Sequence, residues 1–259
     1  MSIDVSIKVG GAAGQGIQTV GQIMASVCQN AGLYIFAIND FESRIRGGHS
    51  FFQIRISDRP IRSGRSTVHA LICMDKRTYD LHQDELDPDG LALIDTEAEA
   101  SGSNVLSLPF IEMGKEAGDK AAANTVAAGA CLALFGAPSG LFDDALSRFF
   151  KTKEKDVIDM NMEAARLGAA SVKDQSFKWS FEWPAETSPM KVIDGSQAIA
   201  LGALAGDCRF ASFYPMSPAT DIMDHLTRLS GEFPLVVEQA EGEIAAVNMV
   251  IGAAFAGAL

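Results

Sequence analysis

Cysteine is scarce in this chain: there are four in 259 residues, Cys28, Cys73, Cys131 and Cys208, and no Cys-x-x-Cys pair among them. That spacing offers no ligand set for a zinc ribbon or a local iron–sulfur cluster, so no metal ligands are assigned and any electron-carrying cluster is expected on another chain. Positive charge is short as well, with Lys+Arg 21 against Asp+Glu 33 and a formal net charge of −12. A field of that sign repels phosphate backbones and anionic lipid, which argues against nucleic acid or a membrane surface as a partner. Long hydrophobic runs are missing. The two most apolar stretches, 121–135 and 244–259, are rich in Ala and Gly and broken by Asn124 and Asn248, so they read as buried helices rather than membrane spans. The opening MSIDVSIKVGG has no basic segment followed by an apolar one; no secretory leader is read, and a reducing cytoplasm with free, buried thiols is expected.

The remaining composition is that of a folded protein. Hydrophobic residues make up 47% and charged residues 21%, enough apolar surface to close a core over one large or two ordinary domains. Ile3, Val5, Ile7 and Val9 alternate with Ser2, Asp4, Ser6 and Lys8, the period of a strand. A glycine-rich turn, Gly10-Gly11-Ala12-Ala13-Gly14-Gln15-Gly16, follows it. Apolar residues at helical spacing then predict a helix over 17–31 with Gly32 as its C-cap, and 33–38 reads as a second strand. This opening predicts parallel strands joined by a crossover helix in a nucleotide-binding-type α/β sheet. Further strands are predicted over 51–56, 70–74 and 91–95, and helices over 121–135, 141–150 and 153–170.

Residues 1–172 are expected to form a first domain and 173–189 a linker, which carries both Trp179 and Trp183 and therefore packs against a surface. A second βα alternation occupies 190–259, with helices over 196–205, 219–229 and 242–259 and strands over 210–214 and 235–238. Two strands do not complete an α/β domain, and the last helix reaches Leu259 with no visible cap for its final carbonyls, so the chain is expected to be cut short.

Three segments bear chemistry. The turn from Gly11 to Gly16 aims backbone N–H groups and a positive helix end at one spot, which suits a phosphate or carboxylate, although a glycine turn in a βα unit also serves close packing alone. Its order is GxxGxG rather than GxGxxG, and Asp40 near the end of the second strand fits either a ribose-binding acid or a solvated loop acid. Arg44-Ile45-Arg46-Gly47-Gly48-His49-Ser50 is a cationic, glycine-rich loop suited to an anionic ligand, or a salt-bridged turn. Tyr214-Pro215-Met216-Ser217-Pro218-Ala219-Thr220 combines rigid backbone with helix-capping hydroxyls, and Glu238, Glu241 and Glu243 crowd the following strand-to-helix junction, where acids ordinarily serve the helix dipole. His69 and His82 show no metal-ligand spacing and read as structural.

The stretch 9–56, with GGAAGQG and RIRGGHSFFQIRIS, together with AANTVAAGACLALFG at 122–136, resembles the gamma domain of 2-oxoacid:ferredoxin (acceptor) oxidoreductases. YPMSPAT at 214–220 followed by EQAEGEIAAVNMVIGAAFAGA at 238–258 resembles the opening of their pyrimidine-binding thiamine domain. Gamma before alpha on one chain is similar to the fused alpha subunit of the 2-oxoglutarate synthase type. The resemblance implies a gamma-type α/β domain followed by the incomplete start of a thiamine diphosphate domain. It implies oxidative decarboxylation of a 2-oxoacid, 2-oxoglutarate favoured, to an acyl-CoA with reduction of ferredoxin. Mg²⁺ and the diphosphate end of thiamine diphosphate would lie on a beta subunit that also carries the iron–sulfur cluster, in an (alpha-beta)₂ assembly.

By the same resemblance Glu243 is the catalytic residue facing the aminopyrimidine. Ser217, standing where the family has threonine, and Tyr214 belong to substrate binding, and Gly11, Gly14, Gly16 and Arg46 to coenzyme A. The isolated chain is expected to be inactive. The competing reading is a dinucleotide-binding or subunit-assembly module without 2-oxoacid chemistry.

Overall fold

A computed structural model describes residues 2–12, 14–42, 48–98, 100, 102–151, 153–184 and 191–258, with the side chain of Phe41 left out. Contacts divide the chain into two units, Met1–Val192 and Ile193–Leu259.

Unit 1 is built on a six-stranded sheet of order β2-β3-β1-β4-β5-β6, with β1 Asp4–Ala12, β2 Tyr34–Phe41, β3 His49–Ser57, β4 Val68–Cys73, β5 Leu86–Asp95 and β6 Val105–Leu108. β1, β4, β5 and β6 run parallel. The expected α/β class is present, and the first two strands run parallel through the crossover helix as expected, but they are not neighbours: β3 stands between them, antiparallel to both. The reason is length. Residues 42–48 leave only a hairpin's worth of chain between β2 and β3, whereas a parallel return needs a dozen residues or more.

One face of the sheet carries the main core. Helix α1, Ile17–Asn30, buries Ile17, Val20, Ile23, Met24 and Val27 against Ile7, Val9, Ile54 and Ile72. Its end is closed as the sequence predicts: Gly32 takes φ 77°, and Leu33 N–H reaches Cys28 O at 3.1 Å. The opposite face is covered by the short helix α2, Lys76–His82, which the sequence did not reveal. Lys8 is 4% exposed, beside His82 at the end of α2, and Ser6 is 0% exposed, with Gln53 Nε2 donating to its hydroxyl at 3.2 Å.

After β5 and β6 come α3 Phe110–Ala117, α4 Ala123–Leu134, α5 Ser139–Phe149 and α6 Lys155–Ser171. α4 is buried nearly throughout, between the sheet side and α6. Residues 173–184 lie against this unit: Trp183 Nε1 donates to Phe135 O at 2.9 Å, Phe181 N donates to the same carbonyl at 3.2 Å, and Phe177 meets the Phe135 ring edge-on. Cys28, Cys73 and Cys131 are buried and unpaired, and burial pushes all three thiols well up from their ordinary range.

Unit 2 contains α7 Gly195–Ala205, β7 Phe210–Phe213, α8 Ala219–Leu229, β8 Val236–Gln239 and α9 Glu243–Phe255. β7 and β8 pair in parallel. A capping box between Asp194 and Gln197 starts α7. The fully buried apolar set is small, Ala200, Ala211, Leu226 and Leu235, while α9 exposes Ile244, Val247, Ile251 and Phe255. The expectation that the last helix runs uncapped to Leu259 is corrected. It ends at Phe255, where Gly257 at φ 90° lets its own N–H reach Ala254 O and the Ala258 N–H reach Ala253 O, so the final carbonyls have partners.

Candidate functional site

In unit 1 the carboxyl ends of β1, β4 and β5 open into a cavity of about 510 Å³, the usual place for a ligand in a parallel sheet. Gly14, Gln15 and Gly16 form one wall, Met74 and Asp95 the strand ends, and Ile111, Lys120 and Asn124 the far side. Gly11 lies within β1 rather than in the wall. A Cβ there would meet Gln15, Ile17 and Met74 at 3.0 Å or less. Gln15 closes the turn on itself, its Oε1 accepting Ala12 N–H at 2.7 Å and its own N–H donating to Ala12 O at 3.1 Å.

Two helix starts face this cavity: α1 after Gly16, which has no side-chain cap, and α4, which continues a 3₁₀ turn, Lys120–Ala122, whose own start is capped by the Asp119 carboxylate accepting Ala121 N–H at 2.7 Å. The first-turn N–H groups of α1 therefore supply partial positive charge without a resident carboxylate to consume it. Lys120 adds a full charge. Asp95, 3% exposed, is occupied otherwise: its carboxylate accepts Glu97 N–H at 2.9 Å and Ile111 N–H at 3.0 Å, fixing the loop after β5. The arrangement can hold an anion of phosphate or carboxylate type.

Of the residues singled out by sequence, Gly14 and Gly16 line the cavity and Gly11 supports its wall, while Arg46, like Arg44, lies outside the described residues. Lys120, Asp95 and Asn124 escaped sequence reasoning. Asn124 had registered only as a break in an apolar run, which was the available signal. Asp40 sits on β2, two strands away from the glycine turn because β3 intervenes, so it does not occupy the ribose-binding place of a dinucleotide fold.

Gly16 carries a local test. Its φ of 73° is left-handed, and an added Cβ would come closer than 3.0 Å to Asn124 Nδ2. Gly16→Ala is expected to lower stability by about 1–2 kcal/mol, read as a reduced urea midpoint. Repeating it in an Asn124→Ala background should cost less, because the colliding amide is gone.

In unit 2, Tyr214 and Ser217 follow the carboxyl end of β7, and Glu243 opens α9 after the carboxyl end of the neighbouring β8. The two junctions are tied together by Ala240 N–H donating to Phe213 O at 2.8 Å. All three side chains are exposed. Gly242 precedes Glu243 as an N-cap in extended conformation without a side-chain cap, so the Glu243 carboxylate is the acid at the positive end of α9. Glu238 lies within β8, and Glu241 is exposed just ahead of the helix.

Comparison with known proteins agrees with both halves. A family described as "Pyruvate ferredoxin/flavodoxin oxidoreductase" matches residues 6–171, and one described as "Pyruvate flavodoxin/ferredoxin oxidoreductase, thiamine diP-bdg" matches 201–259. The 2-oxoacid:ferredoxin oxidoreductase 2, subunit alpha, of Aeropyrum pernix is 25% identical over 99% of this chain and 50% of its own length. The solved 2-oxoglutarate:ferredoxin oxidoreductase from Magnetococcus marinus, with 2-oxoglutarate, coenzyme A and succinyl-CoA bound, superposes with a TM-score of 0.91 at 27% identity, covering 100% of this chain and 47% of that one. A keto/oxoacid ferredoxin oxidoreductase gamma subunit from Geobacter sulfurreducens shares the fold of 64% of the chain, with a TM-score of 0.55 over 96% of its own length. The chain thus spans about half the length of the curated relatives it matches. The first match takes in most of the sequence and every strand and helix of the glycine-turn unit, and on that ground the chain belongs to the pyruvate ferredoxin/flavodoxin oxidoreductase family.

Proposed function

We propose that this protein is part of the alpha subunit of a 2-oxoacid:ferredoxin oxidoreductase. Residues 1–172 form its gamma-type portion, 173–189 the linker and 190–259 the start of the pyrimidine-binding portion. The enzyme converts a 2-oxoacid and coenzyme A to acyl-CoA and carbon dioxide, the two electrons passing to ferredoxin; 2-oxoglutarate is the favoured substrate. The reading rests on one observation above the others: the chain carries both a glycine-walled anion cavity and, on a second parallel sheet, a hydroxyl loop and an acidic helix start on one edge.

Coenzyme A is an anion, and its phosphates suit the uncapped start of α1 and Lys120 of the unit 1 cavity. Thiamine diphosphate, when bound, supplies the carbon nucleophile that attacks the oxoacid carbonyl and stabilises the charge left by decarboxylation. Its fit to this chain is through Glu243, a carboxylate beside the uncovered apolar residues Ile244 and Val247. Covered by a partner, that apolar setting would place the carboxylate against the ring nitrogen with water excluded, where it can hold and release a proton. Tyr214 and Ser217 present hydroxyls to the substrate carboxylate. The diphosphate, Mg²⁺ and the iron–sulfur cluster are assigned to a beta subunit, in an (alpha-beta)₂ assembly.

Co-expression of the full reading frame with the beta-type subunit of the same source tests the proposal. Reduction of ferredoxin should require both 2-oxoglutarate and coenzyme A, and dropping either should abolish it. A stable complex with no oxoacid-dependent reduction would replace the enzyme reading with an assembly module.

A further inference from the structure

Behind the glycine turn, on the α2 face of the sheet, four titratable side chains form a continuous chain, three of them buried and the fourth, Glu85, 32% exposed at its side chain. Lys8 from β1 pairs with Glu85, which belongs to a 3₁₀ turn, Gln83–Glu85, directly after α2. Glu85 Oε1 lies 2.6 Å from His82 Nδ1, and His82 Nε2 lies 2.8 Å from His49 Nε2 at the start of β3. Lys8, His82 and His49 are 4%, 7% and 9% exposed, and Phe51 packs edge-on against His82 and beneath the Lys8 ammonium. His49 Nδ1 is buried and has no hydrogen-bond partner.

Counting protons fixes the tautomers. A contact of 2.6 Å between a ring nitrogen and a carboxylate needs one proton between them, and Glu85 is held below the ordinary carboxylate range: burial raises it, but the Lys8 ammonium and the His82 ring outweigh burial. The shared proton therefore belongs to His82 Nδ1, leaving His82 Nε2 bare. The 2.8 Å contact between the two rings also takes one proton, so His49 donates from Nε2 and its Nδ1 is the bare, unpartnered base.

We propose that Lys8, Glu85, His82 and His49 form a proton relay that takes up a proton at His49 Nδ1 and stores the charge on His82 against Glu85. A hydronium ion admitted to the buried His49 Nδ1 gives up a proton there, its O–H bond breaking as the N–H bond forms. The Nε2–H bond of His49 breaks as that proton bonds to His82 Nε2. One proton enters, one crosses, no electrons move, and the charge ends on the ring that faces a carboxylate.

The surroundings favour this direction. His49 is held below the ordinary histidine range by burial first and by His82 second, with Arg77 adding to the repulsion and Asp75 and Glu42 opposing it at longer range. Around His82 stand His49, Glu85 and Lys8; Lys8 opposes a charge there, but Glu85 is shared between the two cations. The result is a buried base at the carboxyl end of β1 with a charge-balanced store behind it, independent of what the glycine cavity binds.

Histidine ¹⁵N resonances of the full chain test the relay between pH 8 and pH 5. His69 serves as the reference, because its Nδ1 accepts Ser6 N–H at 2.9 Å and so fixes it as the Nε2–H tautomer. At pH 8 His82 should be the Nδ1–H tautomer and His49 the Nε2–H tautomer. On acidification His82 should become the imidazolium while His49 stays neutral and switches to Nδ1–H. Glu85→Gln should move that uptake roughly 1–3 pH units lower, because the stored charge loses its counterion. His82 as Nε2–H at pH 8, a charge resting on His49, or an unmoved titration in Glu85→Gln would each overturn the relay. The wild-type tautomers decide the matter even where the variant does not fold.

Discussion

In the proposed alpha–beta enzyme, Glu243→Gln is expected to lower turnover by about 10²-fold or more while the proposed complex forms and binds thiamine diphosphate much as before. The magnitude is that of removing one positioned acid–base group. Glutamine keeps the length and hydrogen-bonding outline of the side chain and removes only the titratable proton. The fold should survive, because Glu243 is exposed at the first position of α9 and its loss there costs only the dipole contribution, about 0.3–1 kcal/mol. Glu241→Gln is the control: it lies two residues earlier, before the helix begins, and should stay near wild type. A Glu243→Gln enzyme with undiminished turnover would remove this residue from the chemistry. Damage at Glu241 instead would mean that the acid facing the reaction precedes the helix.

Local patterns made most of the elements legible. The alternation of Ile3, Val5, Ile7 and Val9 and the helical spacing of Ile17, Val20, Ile23, Met24 and Val27 each encode one buried face; the helix appears with nearly the expected bounds, while the strand runs three residues further, through Gly10 and Gly11 to Ala12. What failed depends on the rest of the chain. The polar side of β1 gives no sign in sequence that Lys8 will be covered by the end of α2 and Ser6 by Gln53, and α2 itself, seven residues of mixed polarity, has no apolar period to announce it. β6, four residues long, was missed for the same reason. The antiparallel insertion of β3 was readable in principle, since seven residues cannot carry a crossover, but strand direction is not written in side-chain pattern.

The same division holds for the candidate site. Gly14 and Gly16 were visible because a glycine cluster between a strand and a helix serves either an anion or close packing, and their φ values of 92° and 73° are ones that side chains resist. Lys120 and Asn124 reach the same cavity from over a hundred residues away, and nothing near them in sequence says so. His49 and His82 are 33 residues apart on different elements, and only the sheet register and the α2 cover bring their rings to 2.8 Å. Spacing rules for ligands and bases see neighbours on one element, and this pair shares none.

The most severe effect on stability should come from a single methyl group where α4 crosses α6. Gly168 and Gly129 face the opposite helix so closely that a Cβ on Gly168 would stand under 3.0 Å from Val126 O, and one on Gly129 under 3.0 Å from Ala165 O and Cα. These are backbone atoms and cannot rotate aside, so the helices must separate and the apolar layer of α4, including Val126, Ala130 and Leu132, must loosen from its neighbours. Helix propensity pulls the other way, since alanine is preferred to glycine by about 1 kcal/mol in a helix interior. Overpacking of this kind outweighs that gain, and Gly168→Ala is expected to cost about 2–4 kcal/mol net, a large share of an ordinary domain's stability. Gly140→Ala in α5 makes the contrast, because nothing lies within 4 Å of its would-be Cβ; there only propensity acts, and the change should be neutral or stabilising by up to about 1 kcal/mol. Both variants can be followed by the fluorescence of Trp179 and Trp183, which pack against the core of this same unit, during urea unfolding. Equal midpoints for Gly168→Ala and Gly140→Ala would show that the α4–α6 crossing yields to a methyl group, and that backbone proximity is not what holds these two helices in place.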